Sequence, residues 1–133
     1  PEATSLALRN LKNENGFFLM VEGSQIDFAC HAKDSIYLIN EMNDFNNTIN
    51  VVLDFAKENP NTLVIVTADH ETGGLTIVDP DENYTKTDLH FSNGRHTPLL
   101  VPIFAFGPEA NRFTGIMDNT DIFKKIIDLA NNI

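Results

Sequence analysis

The chain has 133 residues, with 19 acidic against 9 basic side chains and a formal charge of -10, so it holds one domain at most and lacks the Lys and Arg that a nucleic acid or an anionic membrane surface demands. Its one cysteine, Cys30, excludes an internal disulfide and reads as a small packed hydrophobe, because no second thiol accompanies it. No stretch approaches the roughly 20 apolar residues of a membrane helix, and Pro1-Glu2-Ala3-Thr4 is no basic and apolar leader, so the expectation is a soluble chain without an export signal of its own.

In chain order, Leu6, Leu8 and Leu11 among polar neighbours predict a helix over about Thr4 to Asn13, stopped at Asn15-Gly16. Phe17 to Val21 is continuously apolar and predicts a strand buried on both faces that delivers Glu22 and Gly23 at its end. From Ser35 to Glu58, apolar residues recur at spacings of mostly three and four, an amphipathic helix with a bend or interruption near Asn46-Asn47, ended by Pro60. Asp34-Ser35 at its start reads as a helix cap.

Leu63 to Val66 predicts the second core strand and Leu75 to Val78 a short third, while Asp79 to Asn93 is polar enough for a long surface loop or an ordered insertion. Val101 to Phe106, closed by Gly107-Pro108, predicts a further strand with Pro102 near its start, where a missing amide is tolerated. Ile122, Phe123, Ile126, Ile127 and Leu129 form one side of a final helix over about Asn119 to Ala130, with Asp118, Asn119 or Thr120 as cap. Phe17, Phe18, Phe104 and Phe106, set among aliphatic residues, read as core. The alternation predicts an α/β fold, a partial three-layer sandwich with a mainly parallel sheet flanked by helices, in a single domain over residues 1–133. Three principal strands leave exposed edges, as in half of a larger fold.

Thr67-Ala68-Asp69-His70 directly follows the second strand, where α/β proteins bind ligands. Asp69 and His70 can share an ion only if the chain turns there, since neighbours on an extended strand face opposite ways. Asp27 and His31 are an i, i+4 pair that a helical turn brings onto one face, and zinc accepts both imidazole nitrogen and carboxylate oxygen. His96 and Glu22 complete the candidate ligands. Each pair alone equally describes a surface pair, a cap or a hydrogen-bonded core pair. Their convergence at strand ends favours a shared metal cluster. His90, Arg95 and Arg112 read as surface side chains.

Gly16 to Gly23, Ile26-Asp27 with His31, Leu63 to Gly74, and His96-Thr97 before Val101-Pro102 together resemble, in order and spacing, the C-terminal half of alkaline phosphatase. The resemblance runs from about Leu6 through the final helix and is weakest from Asp79 to Arg95. It implies that Asp27, His31 and His96 hold a first zinc, that Asp69 and His70 belong to a second, and that Glu22 is one carboxylate of a magnesium site. It further implies a phosphate monoester hydrolase acting through a phosphoserine, a homodimer when intact, and a periplasmic or secreted location.

Phe28 stands where relatives often carry a basic or imidazole side chain, and Thr72 where some have another histidine. The family's Asp-Ser-Ala nucleophile segment, its phosphate-gripping arginine and its bridging aspartate are absent. No catalytic residue is therefore assigned in this chain, and the chain alone is expected to be inactive. The alternatives are a non-catalytic metal-binding domain, or a fragment of a related phosphomutase or sulfatase. The latter fits Glu22-Gly23 and Thr67 to Gly74 less well.

Overall fold

A computed structural model describes residues 1–78 and 88–131. Helix α1, Glu2–Leu11, lays Thr4 and Leu8 against α3, Ser35–Glu58. Between them in sequence comes α2, Gln25–Ala32, which ends at Lys33 in the left-handed region (φ 55°). The amides of Lys33 and Asp34 close it by donating to the carbonyls of Cys30 and Ala29, both at 3.1 Å.

The next helix starts at once, because the Asp34 carboxylate accepts from the Tyr37 amide at 2.9 Å and satisfies one of its free N–H groups. The expected cap is thus formed. No interruption occurs at Asn46-Asn47, since α3 is continuous over 24 residues. It stops at Asn59, ahead of Pro60, where the Asn59 side chain donates back to the Phe55 carbonyl at 2.8 Å.

The strands are β1 Val64–Thr67, β2 Glu71–Thr72, β3 Leu75–Ile77, β4 Leu89–Phe91, β5 His96–Thr97 and β6 Ile103–Phe106. They form three two-stranded ladders, β1 with β6, β2 with β5 and β3 with β4, all antiparallel. Helices and strands are thus mixed, but the expected mainly parallel sheet is not formed among the described residues. An apolar run announces burial without fixing the direction of the partner strand. Residues 17–21, expected as a strand, join no ladder, and Phe18 is 72% exposed. Nor are Phe17, Phe104 and Phe106 core here: all three are exposed, Phe104 by 64%, because they are left uncovered by the described residues.

The expected third strand is β3, while residues 79–87 of the polar segment lie outside the described residues and 88–93 contribute β4. Pro102 stands just before β6, and its carbonyl accepts from the Thr67 hydroxyl at 3.1 Å. Gly107 closes β6 at φ 103°, so near the other strand that a Cβ would lie 2.2 Å from the Thr62 carbonyl oxygen. A 3-10 turn, Ala110–Phe113, buries Phe113 and leads to α4, Asn119–Ala130. Asp118 and Asp121 form a capping box at its start, and Arg112 pairs with Asp128 at 2.6 Å. Ala29, Cys30 and Leu38 form a buried core at the α2–α3 corner, against which Ile26, Tyr37, Leu75, Leu89 and Phe91 pack. This core fixes α2 against the β3–β4 hairpin. Among the described residues no helix is long and apolar enough to cross a membrane.

Candidate metal centre

One turn of α2 presents two of the candidate ligands side by side. Asp27 and His31 lie on one face, with Asp27 Oδ2 3.3 Å from His31 Nε2. The third comes from β5, 65 residues further on: His96 Nε2 lies 3.1 Å from His31 Nε2 and 3.5 Å from Asp27 Oδ1. Beyond the end of β1 the chain bends at Asp69 and His70, with Asp69 Oδ2 3.1 Å from His70 Nε2. The His70 ring stacks on that of His96, centroids 3.6 Å apart and planes 22° apart. Asp27, His70 and His96 each offer a ligand atom within 4.8 Å of the other two.

Five of the six candidates therefore meet in one place. Glu22 is exposed, and among the described residues no hydrogen bond or ion pair joins it to the others. His90 is exposed on β4, opposite Thr76.

The distances fit a small cation. The contacts among Asp27, His31 and His96 run from 3.1 to 3.5 Å, His31 against Asp27 Oδ2 and His96 against Asp27 Oδ1, so both carboxylate oxygens face imidazole nitrogens, the donor types that zinc accepts. Two imidazole nitrogens at 3.1 Å need either a proton on one of them or a cation between them. His31 Nδ1 is 2.9 Å from the Gly94 carbonyl, which can only accept, so Nδ1 carries the proton and a neutral ring turns its Nε2 lone pair toward the cluster.

Thr72 supports the same arrangement from below. It is 7% exposed, its hydroxyl donates to Asp27 Oδ1 at 2.5 Å, and His70 Nδ1 lies 3.2 Å from Thr72 Oγ1. Burial pushes the Asp27 carboxyl up, but the Thr72 hydroxyl and the His31, His96 and His70 rings outweigh it and hold Asp27 below its ordinary value of 3.8. Glu71 behaves alike: burial raises it, while the Thr97 hydroxyl, the Leu75 and Gly74 amides and His70 bring it below 4.5. Cys30 is pushed up by burial first and then by the Asp27 and Glu71 charges, so it stays a protonated thiol packed behind the site.

Glu71, Thr72 and the Gly94 carbonyl are the site components that motif reading does not assign. Thr72 registers in the sequence as a departure at a position two places past His70. Glu71 acts through a hydrogen bond across β2 and β5, whose pairing of Glu71 with Thr97 and Thr72 with His96 has no local signature, and the Gly94 carbonyl, just ahead of β5, acts on His31 of α2, 63 residues away.

Comparison with known proteins gives concordant results. A family described as alkaline phosphatase matches residues 1–88. The chain is similar to alkaline phosphatase 4 of Bacillus subtilis (strain 168), 53% identical over 83% of this chain and 38% of that protein. Its structure is similar to that of the alkaline phosphatase from the Antarctic bacterium TAB5, with a TM-score of 0.88 and 47% identity over 97% of this chain and 40% of that one. A mutant of the TAB5 enzyme with Mg bound in its M3 site gives a TM-score of 0.88 at 46% identity, over the same shares of the two chains. The chain spans about two fifths of the length of these relatives.

Proposed function

Since the chain belongs to the alkaline phosphatase family, we propose that it supplies the metal-holding part of a phosphate monoester hydrolase that works through a phosphoserine. In this reading Asp27, His31 and His96 hold a first zinc, Asp69 and His70 belong to a second, and Glu22 gives one carboxylate to a magnesium site. The observation that carries it is the meeting of Asp27, His31 and His96 at contacts of 3.1 to 3.5 Å, with Asp27, His70 and His96 each offering a ligand atom within 4.8 Å of the other two, all of donor types that zinc accepts. Bound zinc supplies Lewis acidity toward the oxygens of a phosphoryl group.

The chain's own residues hold and orient. The Gly94 carbonyl selects the His31 tautomer, Thr72 keeps Asp27 ionised and aimed, and β5 lays His96 against both. The only Asp-Ser pair, Asp34-Ser35, is engaged as the cap of α3, which supports the expectation that the isolated chain is inactive. The reading extends to the intact protein: residues 1–133 form one C-terminal domain portion, residues 17–21 become a strand of a mainly parallel sandwich, and the enzyme is a periplasmic or secreted homodimer.

Zinc titration of the chelator-stripped chain tests the proposal. One tightly held zinc is expected, lost in Asp27→Asn and in His96→Ala, with p-nitrophenyl phosphate hydrolysed no faster than a metal-matched blank. No zinc uptake by the folded chain would remove the metal assignment. A phosphatase rate that vanishes when Asp69 and His70 are replaced would overturn the inactivity.

A further inference from the structure

We propose that Glu71 is a positioning residue that sets His70 and His96 against one another; the inference rests on the metal-binding reading above. Glu71 follows His70 in the chain and stands opposite Thr97, which follows His96. In an antiparallel pair, Glu71 and Thr97 share one face while Thr72 and His96 share the other, where Asp27 lies. The Glu71 carboxylate therefore acts through its neighbours and not on a cation.

Both of its oxygens are engaged. Oε1 accepts from the Leu75 amide at 3.0 Å, and Oε2 accepts from the Gly74 amide at 3.2 Å and from the Thr97 hydroxyl. One side chain thus ties three pieces together: the strand that follows His70, the Gly73-Gly74 turn with φ of 93° and 56°, and the strand that carries His96. A ladder of two residues holds its register weakly by itself. The backbone bonds from Gly73 to Arg95 at 2.9 Å and from Asn93 to Gly73 at 3.1 Å fix the far end of the junction. Glu71 fixes the end beside the histidines. Losing it frees β5 to shift relative to His70, and a ligand displaced by a fraction of an ångström weakens the site.

The test is a zinc chloride titration of the 133-residue chain and of Glu71→Ala, Glu71→Gln and Thr97→Val. Urea unfolding of each metal-free protein and the histidine ring NMR signals are recorded in parallel. Glu71→Ala is expected to bind zinc roughly 10–100-fold more weakly, as for other residues that orient metal ligands. Glu71→Gln, which keeps one acceptor oxygen, falls between it and wild type. Thr97→Val weakens binding in the same direction. In the metal-free variants the His70 and His96 ring signals move more than that of His31, which Gly94 holds and which only touches His96. If Glu71→Ala does not fold, Glu71→Gln and Thr97→Val carry the comparison. Wild-type zinc binding with all three variants within twofold of it would overturn the role of Glu71 alone. Absence of zinc binding by the wild type would overturn the metal reading and this inference with it.

Discussion

Replacing Thr72 with valine removes a hydroxyl and leaves the shape of the side chain, so the change isolates one hydrogen bond. The residue is 7% exposed and its hydroxyl lies 2.5 Å from Asp27 Oδ1. A hydrogen bond to a charged group contributes about 1.5–3 kcal/mol. Asp27 keeps about a third of its side chain in contact with solvent, so water takes over part of the lost bond and the lower end applies. About 1.5 kcal/mol corresponds to roughly tenfold in an equilibrium constant. His70 Nδ1 also loses its 3.2 Å neighbour, which adds to the effect on any shared cation. The expected result is a zinc affinity roughly 10–100-fold lower in Thr72→Val, with Thr72→Ser close to wild type. Competition against a chromophoric chelator measures the affinity, and urea unfolding of the metal-free chain measures stability. Equal zinc affinity in wild type and Thr72→Val would refute the claim that this hydroxyl orients Asp27.

Other consequences are separable by stability, reactivity and pH. Gly107→Ala combines a left-handed backbone with a Cβ 2.2 Å from the Thr62 carbonyl, whereas Gly16→Ala, with nothing within 4 Å, meets the backbone term alone. In urea unfolding the first should cost about 3 kcal/mol or more and the second about 1–2 kcal/mol, and equal losses would contradict the close approach of β6 to Thr62. Cys30, buried and with its thiol raised by burial and by Asp27 and Glu71, should resist iodoacetamide in the folded chain and react once urea unfolds it. Rapid labelling of the native chain would place Cys30 elsewhere. The Thr120 amide and hydroxyl hold Asp118 below its ordinary value of 3.8, so its contribution to α4 is complete above that value and is lost as pH falls through the lower folded one. Asn is an equally good cap that does not titrate. Asp118→Asn should therefore keep the neutral-pH melting temperature and show a shallower acid decline, and an unchanged acid limb would mean that the cap contributes nothing.

What could be read from residues alone was local. The Asp27 and His31 pair needed only a helical turn, and the Asp34 and Asp118 caps needed only the helix that follows each. Asp69 and His70 were legible as a strand-end pair because Val64 to Thr67 is a compact β-branched run. The partners of strands were not legible, because Phe104 and Val66 look the same whether their neighbours run parallel or antiparallel. Residues 17–21 show the limit most plainly: their apolar pattern predicts burial, yet burial requires a neighbour and they have none among the described strands. The β2–β5 junction was hidden for a different reason. Two residues on each side carry no period, so the contribution of Glu71 emerges only when strands 26 residues apart are brought together, and that of Gly94 only when it meets a helix 63 residues back.

That junction also separates loop length from ligand spacing. His70 and His96 are joined at β2–β5, while the polypeptide between them leaves through the β3–β4 hairpin, where the Val78 amide donates to the Asp88 carbonyl at 3.0 Å. Sequence spliced in after Val78 is paid out beyond a closed gate, and doubling the length of such an excursion costs only about 0.6 kcal/mol of closure entropy. The point just after Val78 is therefore a port for grafted peptides, reporters or affinity handles, entered beyond a backbone bond that stays closed.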